Sequence, residues 1–168
     1  MMGMIRTAAG ILELFWMCII FAFSAQGEEE SIAVSESFSY RMVRSADSFF
    51  GLNWEDEKLH QIAAQIEGAV RKAAHMAEFA ILSILLYIWL GKWQFTTKKK
   101  ALLAMIATAL YAASDEIHQL FVPGRAGRFT DVLIDSAGAI LGVLVFIGVE
   151  RCISFLWNRR KYREIESS

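Results

Sequence analysis

The chain has 168 residues, of which 55% are hydrophobic and 12% aromatic, with a single proline and a formal net charge of -1. This composition is typical of a membrane protein rather than of a water-soluble domain. The charge excludes a strongly basic nucleic-acid-binding protein, because neutralising phosphates requires clustered basic residues, and these occur here only in short runs.

Four mostly apolar segments are long enough to cross a bilayer, whose core of about 30 Å requires roughly 20 apolar residues per helix. They are residues 8–25, 73–90, 101–122 and 132–149. The first also resembles a signal peptide, with a basic start and small residues near its end, but Glu13 within it and its bulky end favour a retained helix. We therefore expect an all-α, polytopic membrane protein with a bundle of four transmembrane helices.

The linker between the first two segments, residues 26–72, is predicted to be partly helical. Its second half has Asn53 as a predicted N-cap, with Asp56 three residues later. Leu59, Ile62 and Ile66 then recur on one helical face. This face could lie on the outer membrane surface or cap the bundle, and the interpretation that we prefer is a packed amphipathic connector.

Basic residues predict the orientation of the helices, because they favour the cytoplasmic side when they flank membrane spans. Two short stretches carry them, the connection after the second segment and the tail 150–168. These residues are Lys92, Lys98, Lys99, Lys100, Arg151, Arg159, Arg160, Lys161 and Arg163. Both stretches and the N-terminus should be cytoplasmic, which leaves the linker 26–72 and the loop 121–130 on the extracytoplasmic side.

This orientation brings polar side chains together at the extracytoplasmic ends of the last three segments. His75 and Glu78 share one helix face, and so do Asp131 and Asp135. The third segment contributes Ser114, Asp115, Glu116, His118 and Gln119. A charge facing lipid near the bilayer centre costs at least about 2.5 kcal/mol, so these groups should face the bundle interior or water.

The loop sequence VPGR predicts a turn, in which Pro123 fixes the backbone and Gly124 adopts a positive φ. Such a turn directs Arg125 and Arg128 back over the end of the bundle. Two partners for these arginines remain open. They could pair with Asp131 or Asp135 inside the protein, or they could bind an anionic substrate or lipid headgroup, since arginine grips carboxylates and phosphates in a bidentate manner.

The fourth segment has a stripe of small residues, Gly138 and Gly142, that suits close contact between helices in lipid. This surface could serve packing within the bundle or a homo-oligomer.

Three blocks in order, KAAHMAEFAILS, SDEIHQLFVPGR and DVLIDSAGAILG, resemble the signature blocks of the VanZ-like family, named for a bacterial teicoplanin-resistance protein. The resemblance implies a small multi-pass protein of the bacterial cell membrane with a retained first helix. It singles out the polar residues of the cluster and of the loop. These are His75, Glu78, Asp115, Glu116, His118, Gln119, Arg125, Asp131 and Asp135, with Arg128 as a further match.

Three roles are open for this cluster. In the first, Gln119, Arg125, Arg128, Asp131 and Asp135 bind a membrane lipid, a lipid-linked cell-wall precursor or a lipoglycopeptide, which would contribute to teicoplanin-type resistance. In another role, the cluster only holds three helices in register, although it has more buried charges than this purpose requires.

The remaining role is that of an enzyme that acts on an envelope lipid or phosphoester. The candidate catalytic residues are His75, Glu78, Asp115, Glu116 and His118. Imidazole and carboxylate groups are also suitable ligands for a divalent metal, which could activate water for hydrolysis. No known hydrolase motif is present in the sequence, so this role depends on the residue types alone.

Overall fold

The computed structural model describes the backbone of residues 2–166 and the side chains of residues 3–160. The chain forms α1 (Met2–Ser24), α2 (Glu28–Phe50), α3 (Asp56–Trp89), α4 (Thr97–Gln119) and α5 (Phe129–Glu166), with a short 3-10 turn after α3. No strand occurs in the described part of the chain, which confirms the predicted all-α class.

Three stretches of helix are long and apolar enough to cross a membrane: Gly3–Ser24, Asp56–Lys92 and Phe129–Arg160. Helix α4 falls short, because its apolar middle lies between three lysines at its start and Asp115 and Glu116 near its end. A helical membrane protein is therefore supported, but the predicted count of four spans is not confirmed.

The linker differs most from the sequence prediction, because its first half forms the complete helix α2. Gly51, at φ 62°, ends α2 by donating its N–H to the Asp47 carbonyl. The Asp47 carboxylate then accepts the Trp54 N–H at 3.0 Å. The predicted N-cap Asn53 was wrong: it lies in this turn at φ 52°, and Glu55 precedes the first turn of α3 instead.

Helices α2 and α3 form a hairpin with a small hydrophobic core of its own. Val43 of α2 packs with Leu59 and Ala63 of α3, and Tyr40 and Trp54 cover them. The apolar face predicted for residues 59–66 contacts α2, which agrees with the expected packed amphipathic connector and not with a position on the membrane surface. The sequence pattern predicted the apolar stripe on α3 but did not reveal the helix α2 that packs against it.

Helix α3 is the centre of the structure, because it is continuous from the hairpin into the bundle and contacts each of the other four helices. In the bundle its Phe79 and Leu82 are fully buried together with Ala104 of α4 and Val143 of α5. Residues of the hairpin are thereby fixed relative to residues at the end of the bundle.

The small-residue stripe on α5 packs against α3. A Cβ added at Gly138 would lie 2.3 Å from the Met76 carbonyl oxygen, and one at Gly142 would lie 2.6 Å from that of Ala80. Nearby, the Ser83 hydroxyl donates a 2.8 Å hydrogen bond to the Ala139 carbonyl. Of the two uses predicted for this stripe, packing within the bundle is therefore the one observed.

We predict that Gly138→Ala lowers the thermal unfolding temperature of the detergent-solubilised protein, because the new methyl group forces the backbones of α3 and α5 apart. Overpacking of this kind costs about 1–3 kcal/mol. Gly148→Ala is the matched control, since it lies on the same helix with no atom within 4 Å of its added Cβ. Equal unfolding temperatures for the two variants would contradict this close contact.

Candidate ligand-binding site

A polar cavity of about 120 Å³ lies between α3, the end of α4, the start of α5 and the loop that joins α4 to α5. Seven of the ten residues predicted for the site line it: His75, Glu116, Gln119, Arg125, Arg128, Asp131 and Asp135. The structure thus brings residues from three helices and one loop to a common space.

The loop is held over the cavity by the predicted turn. The Arg125 N–H donates to the Val122 carbonyl at 3.1 Å, and Gly124 has φ 77°, which confirms the turn expected from VPGR. The side chain of Arg125 donates from Nε to the Gln26 carbonyl at 3.3 Å. The start of α2 binds the same turn, since the Glu28 N–H donates to the Pro123 carbonyl at 3.4 Å.

Glu116 fastens the far end of this loop. Its Oε2 accepts the backbone N–H of Arg128 at 2.8 Å, just before the first turn of α5. Gly127 permits the close approach, because a Cβ there would lie 2.5 Å from the Glu116 carbonyl oxygen. A carboxylate at a helix N-terminus is stabilised by the unpaired N–H groups there. Glu116 therefore holds the end of the loop in place in addition to lining the cavity.

The cationic side chains of the cavity are largely unpaired. Arg125, Arg128 and Lys72 form no ion pair with any described carboxylate, so the predicted pairing of arginine with Asp131 or Asp135 is not observed. Arg71 is the exception among the lining cations, since its Nε lies 3.4 Å from Glu67. Carboxylates of Glu28, Glu116, Asp131 and Asp135 line the same cavity, so its cations and carboxylates lie near one another without direct ion pairs.

Buried acceptors also remain without partners. Asp135 is 2% exposed, and its Oδ1 has no hydrogen-bond donor among the described residues. Buried polar groups are nearly always hydrogen-bonded, so each exception requires a water, an ion or a ligand. Asp135 lines the cavity, while its unpartnered Oδ1 is itself enclosed by protein.

Three of the predicted residues do not line the cavity. Asp115 is buried beside it and accepts a 3.2 Å hydrogen bond from Gln119. The His118 ring packs against Phe21 of α1, with ring centroids 4.4 Å apart. Glu78 lies on the other side of His75, with its Oε2 3.8 Å from the imidazole Nδ1.

Several lining residues were missed by the sequence analysis. Arg71 and Lys72 precede His75 by four and three residues on the same helix, so helical spacing could have placed them on its face. Glu28 could not have been found in this way, because it reaches the cavity through the contact between α2 and the loop.

The sequence left open whether a divalent metal binds to the cluster. No group of three or more His, Cys, Asp or Glu side chains in the described part of the chain could hold a metal ion. The carboxyl and imidazole groups of the cluster face different neighbours rather than one point, so they do not fit a metal centre as they stand.

Comparison with curated proteins and with solved structures gives no significant match. The family model described as VanZ/LLP1, in contrast, matches residues 10–153, which include all five helices in whole or in part. This range contains the polar cavity, the loop above it and the helix pair α3 and α5. The chain therefore belongs to the VanZ-like family.

Proposed function

We propose that this VanZ-like protein binds the anionic group of a lipid-linked or lipidated envelope ligand in the polar cavity. The observation that supports this most is the convergence of the unpaired cations Lys72, Arg125 and Arg128 on one cavity. Arg125 is half-buried, and a charge withdrawn from water is costly unless an opposite charge compensates it. A phosphate or carboxylate of the ligand would supply that charge.

The size and the acceptors of the cavity support a particular kind of ligand. Its volume of about 120 Å³ is below the roughly 300–1,000 Å³ of sites that enclose drug-sized molecules. It therefore suits one charged group rather than a whole lipid. Asp131 and Asp135 are hydrogen-bond acceptors, so we expect the group to carry a hydroxyl donor beside its negative charge, as a singly ionised phosphate monoester does.

We also propose that α4 crosses the membrane and that the cavity faces the extracytoplasmic side, with both termini in the cytoplasm. Helix α4 joins the end of α3 to the start of α5, and the start of α5 lies beside His75, far from the end of α3. A chain that makes this connection has to run back along α3. The lysines and arginines at the opposite end of the bundle favour the cytoplasm.

Within the bacterial envelope, such binding would contribute to resistance against teicoplanin-type glycopeptides, either by holding a lipid-linked cell-wall precursor or by holding the lipidated antibiotic. Membership of the family named for teicoplanin resistance supports this part of the proposal. The chemistry of the cavity supports the anionic ligand independently of the family.

Replacing Arg128 by Gln should weaken binding of phosphatidic acid to the purified full-length protein, measured by native mass spectrometry in a neutral detergent. Loss of a charge-assisted hydrogen bond of about 1.5–3 kcal/mol predicts a loss of affinity of about tenfold or more. Lys98→Gln is the matched control, since Lys98 is exposed at the opposite end of α4. Binding that is equal in both variants and in the wild type would count against the proposal.

The orientation predicts which residues a membrane-impermeant maleimide reaches in intact cells. Cys18 and Cys152 are exposed, so both are first replaced by Ser. A cysteine at Phe121, which is 82% exposed just after α4, should then be labelled in intact cells, and a cysteine at Lys98, at the start of α4, only after lysis. The reverse pattern would invert the topology, and labelling of both in intact cells would show that α4 does not cross.

Expression of the wild-type protein in a susceptible bacterium should raise the inhibitory concentration of teicoplanin. The double change Arg125→Gln and Arg128→Gln should remove this rise at an equal amount of protein in the membrane, because the anionic group loses both guanidinium partners. Lys98→Gln should keep it. An inhibitory concentration that the wild-type protein leaves unchanged would refute the contribution to resistance and leave lipid binding to be judged separately.

A further inference from the structure

Beside the polar cavity lies a larger groove of about 500 Å³ between the end of α1, α2 and α3. Its walls are mainly apolar and include Phe23, Val34, Phe38, Met42, Val70 and Ala73. On α2, Val34, Phe38 and Met42 expose 56%, 59% and 47% of their surface. A contiguous exposed apolar surface of this kind marks a site for an apolar ligand or partner.

The groove and the polar cavity meet. Arg71, His75 and Arg125 line both of them, so the two spaces are adjacent and share these three side chains. The polar cavity holds both cations and carboxylates, and the groove is mostly apolar apart from a few polar residues such as Glu78. Cations without an ion pair beside a hydrocarbon surface suit an anionic amphiphile better than a soluble anion or a neutral hydrocarbon.

The groove is held open by contacts that do not fill it. Helix α2 is fixed to α3 through the hydrogen bond between Ser35 and Glu67, and through the Tyr40 hydroxyl, which donates to Asp56 at 2.5 Å. The hairpin core of Val43, Leu59 and Ala63 adds apolar contact below. These contacts fix the position of α2 and leave its face at residues 34, 38 and 42 free.

We propose that this groove binds the acyl chain of the ligand whose anionic group occupies the polar cavity. The inference rests on the proposed function, and it adds the class of ligand, an anionic acyl amphiphile, and the place of its chain. Helix α2 then has a role in recognition, since it forms one wall of the chain site and fastens the turn that carries Arg125. The volume of about 500 Å³ lies within the roughly 300–1,000 Å³ typical of enclosed ligand sites.

The test compares a short-chain and a long-chain phosphatidic acid, with a long-chain zwitterionic phosphatidylcholine as a third probe. Binding to the full-length protein in a neutral detergent is followed by native mass spectrometry. Each buried methylene favours binding by about fourfold. The long-chain phosphatidic acid should therefore bind at least about tenfold more tightly than the short-chain one and more tightly than phosphatidylcholine.

Two groove variants separate this inference from simple contact with lipid. Phe38→Ser removes apolar wall, and Ala73→Phe fills space at an exposed position of α3. Both should reduce the preference for the long chain by about tenfold, which is the loss of a few methylene contacts, and keep binding of the short-chain lipid. Leu110→Ser is the matched control, since Leu110 is 67% exposed on α4 and does not line the groove.

The outcomes distinguish the two proposals. If chain length has no effect, or if Phe38→Ser behaves as Leu110→Ser does, the chain site is refuted, while sensitivity to Arg128→Gln would keep the anion site. If phosphatidylcholine binds as tightly as phosphatidic acid of the same length, the groove is a general lipid contact and the inference fails. If neither phosphatidic acid binds, the proposed function fails as well.

Discussion

Ionisable side chains at the ends of apolar helices need partners, because their surroundings solvate them poorly. The cluster of this protein meets that constraint only in part. Glu116 receives a backbone N–H, Asp115 receives the Gln119 amide, and Arg125 donates to a carbonyl. Asp135 and most cations of the cavity have the capacity for further hydrogen bonds or ion pairs that the described side chains do not supply. That unused capacity is what distinguishes the site from a network that only locks helices.

The unbroken helix α3 connects the polar cavity, the groove and the hairpin. It carries His75 and Arg71 at the junction of cavity and groove, packs α5 closely through Gly138 and Gly142, and continues outward to pair with α2. A break in α3 near residue 72 would have left the hairpin free to move relative to the cavity. Because α3 is continuous, the apolar surface of the groove and the cationic residues of the cavity are held by the same helix.

Much of the bundle was predictable, because apolar length, turn chemistry and helical spacing are local properties. The turn at Pro123 and Gly124 is an example, since the φ it needs is specified by the residue types themselves.

Helix α2 was not predictable in this way. Its sequence is polar overall, and its apolar positions have meaning only against Leu59 and Ala63 of α3. Glu28 was missed for the same reason, whereas Arg71 and Lys72 were within reach of spacing arguments. The choice between binding and hydrolysis depends on a ligand, so the enzymatic role stays a prediction.

Cryo-electron microscopy of the protein in lipid nanodiscs that contain phosphatidic acid would show whether the polar cavity and the groove hold one lipid. We expect density for an anionic group within hydrogen-bond distance of the guanidinium groups of Arg125 and Arg128, continuous with a chain along α2. Guanidinium groups paired instead with Asp131 and Asp135, over a closed cavity, would contradict this expectation and would identify the cluster as an internal ion network.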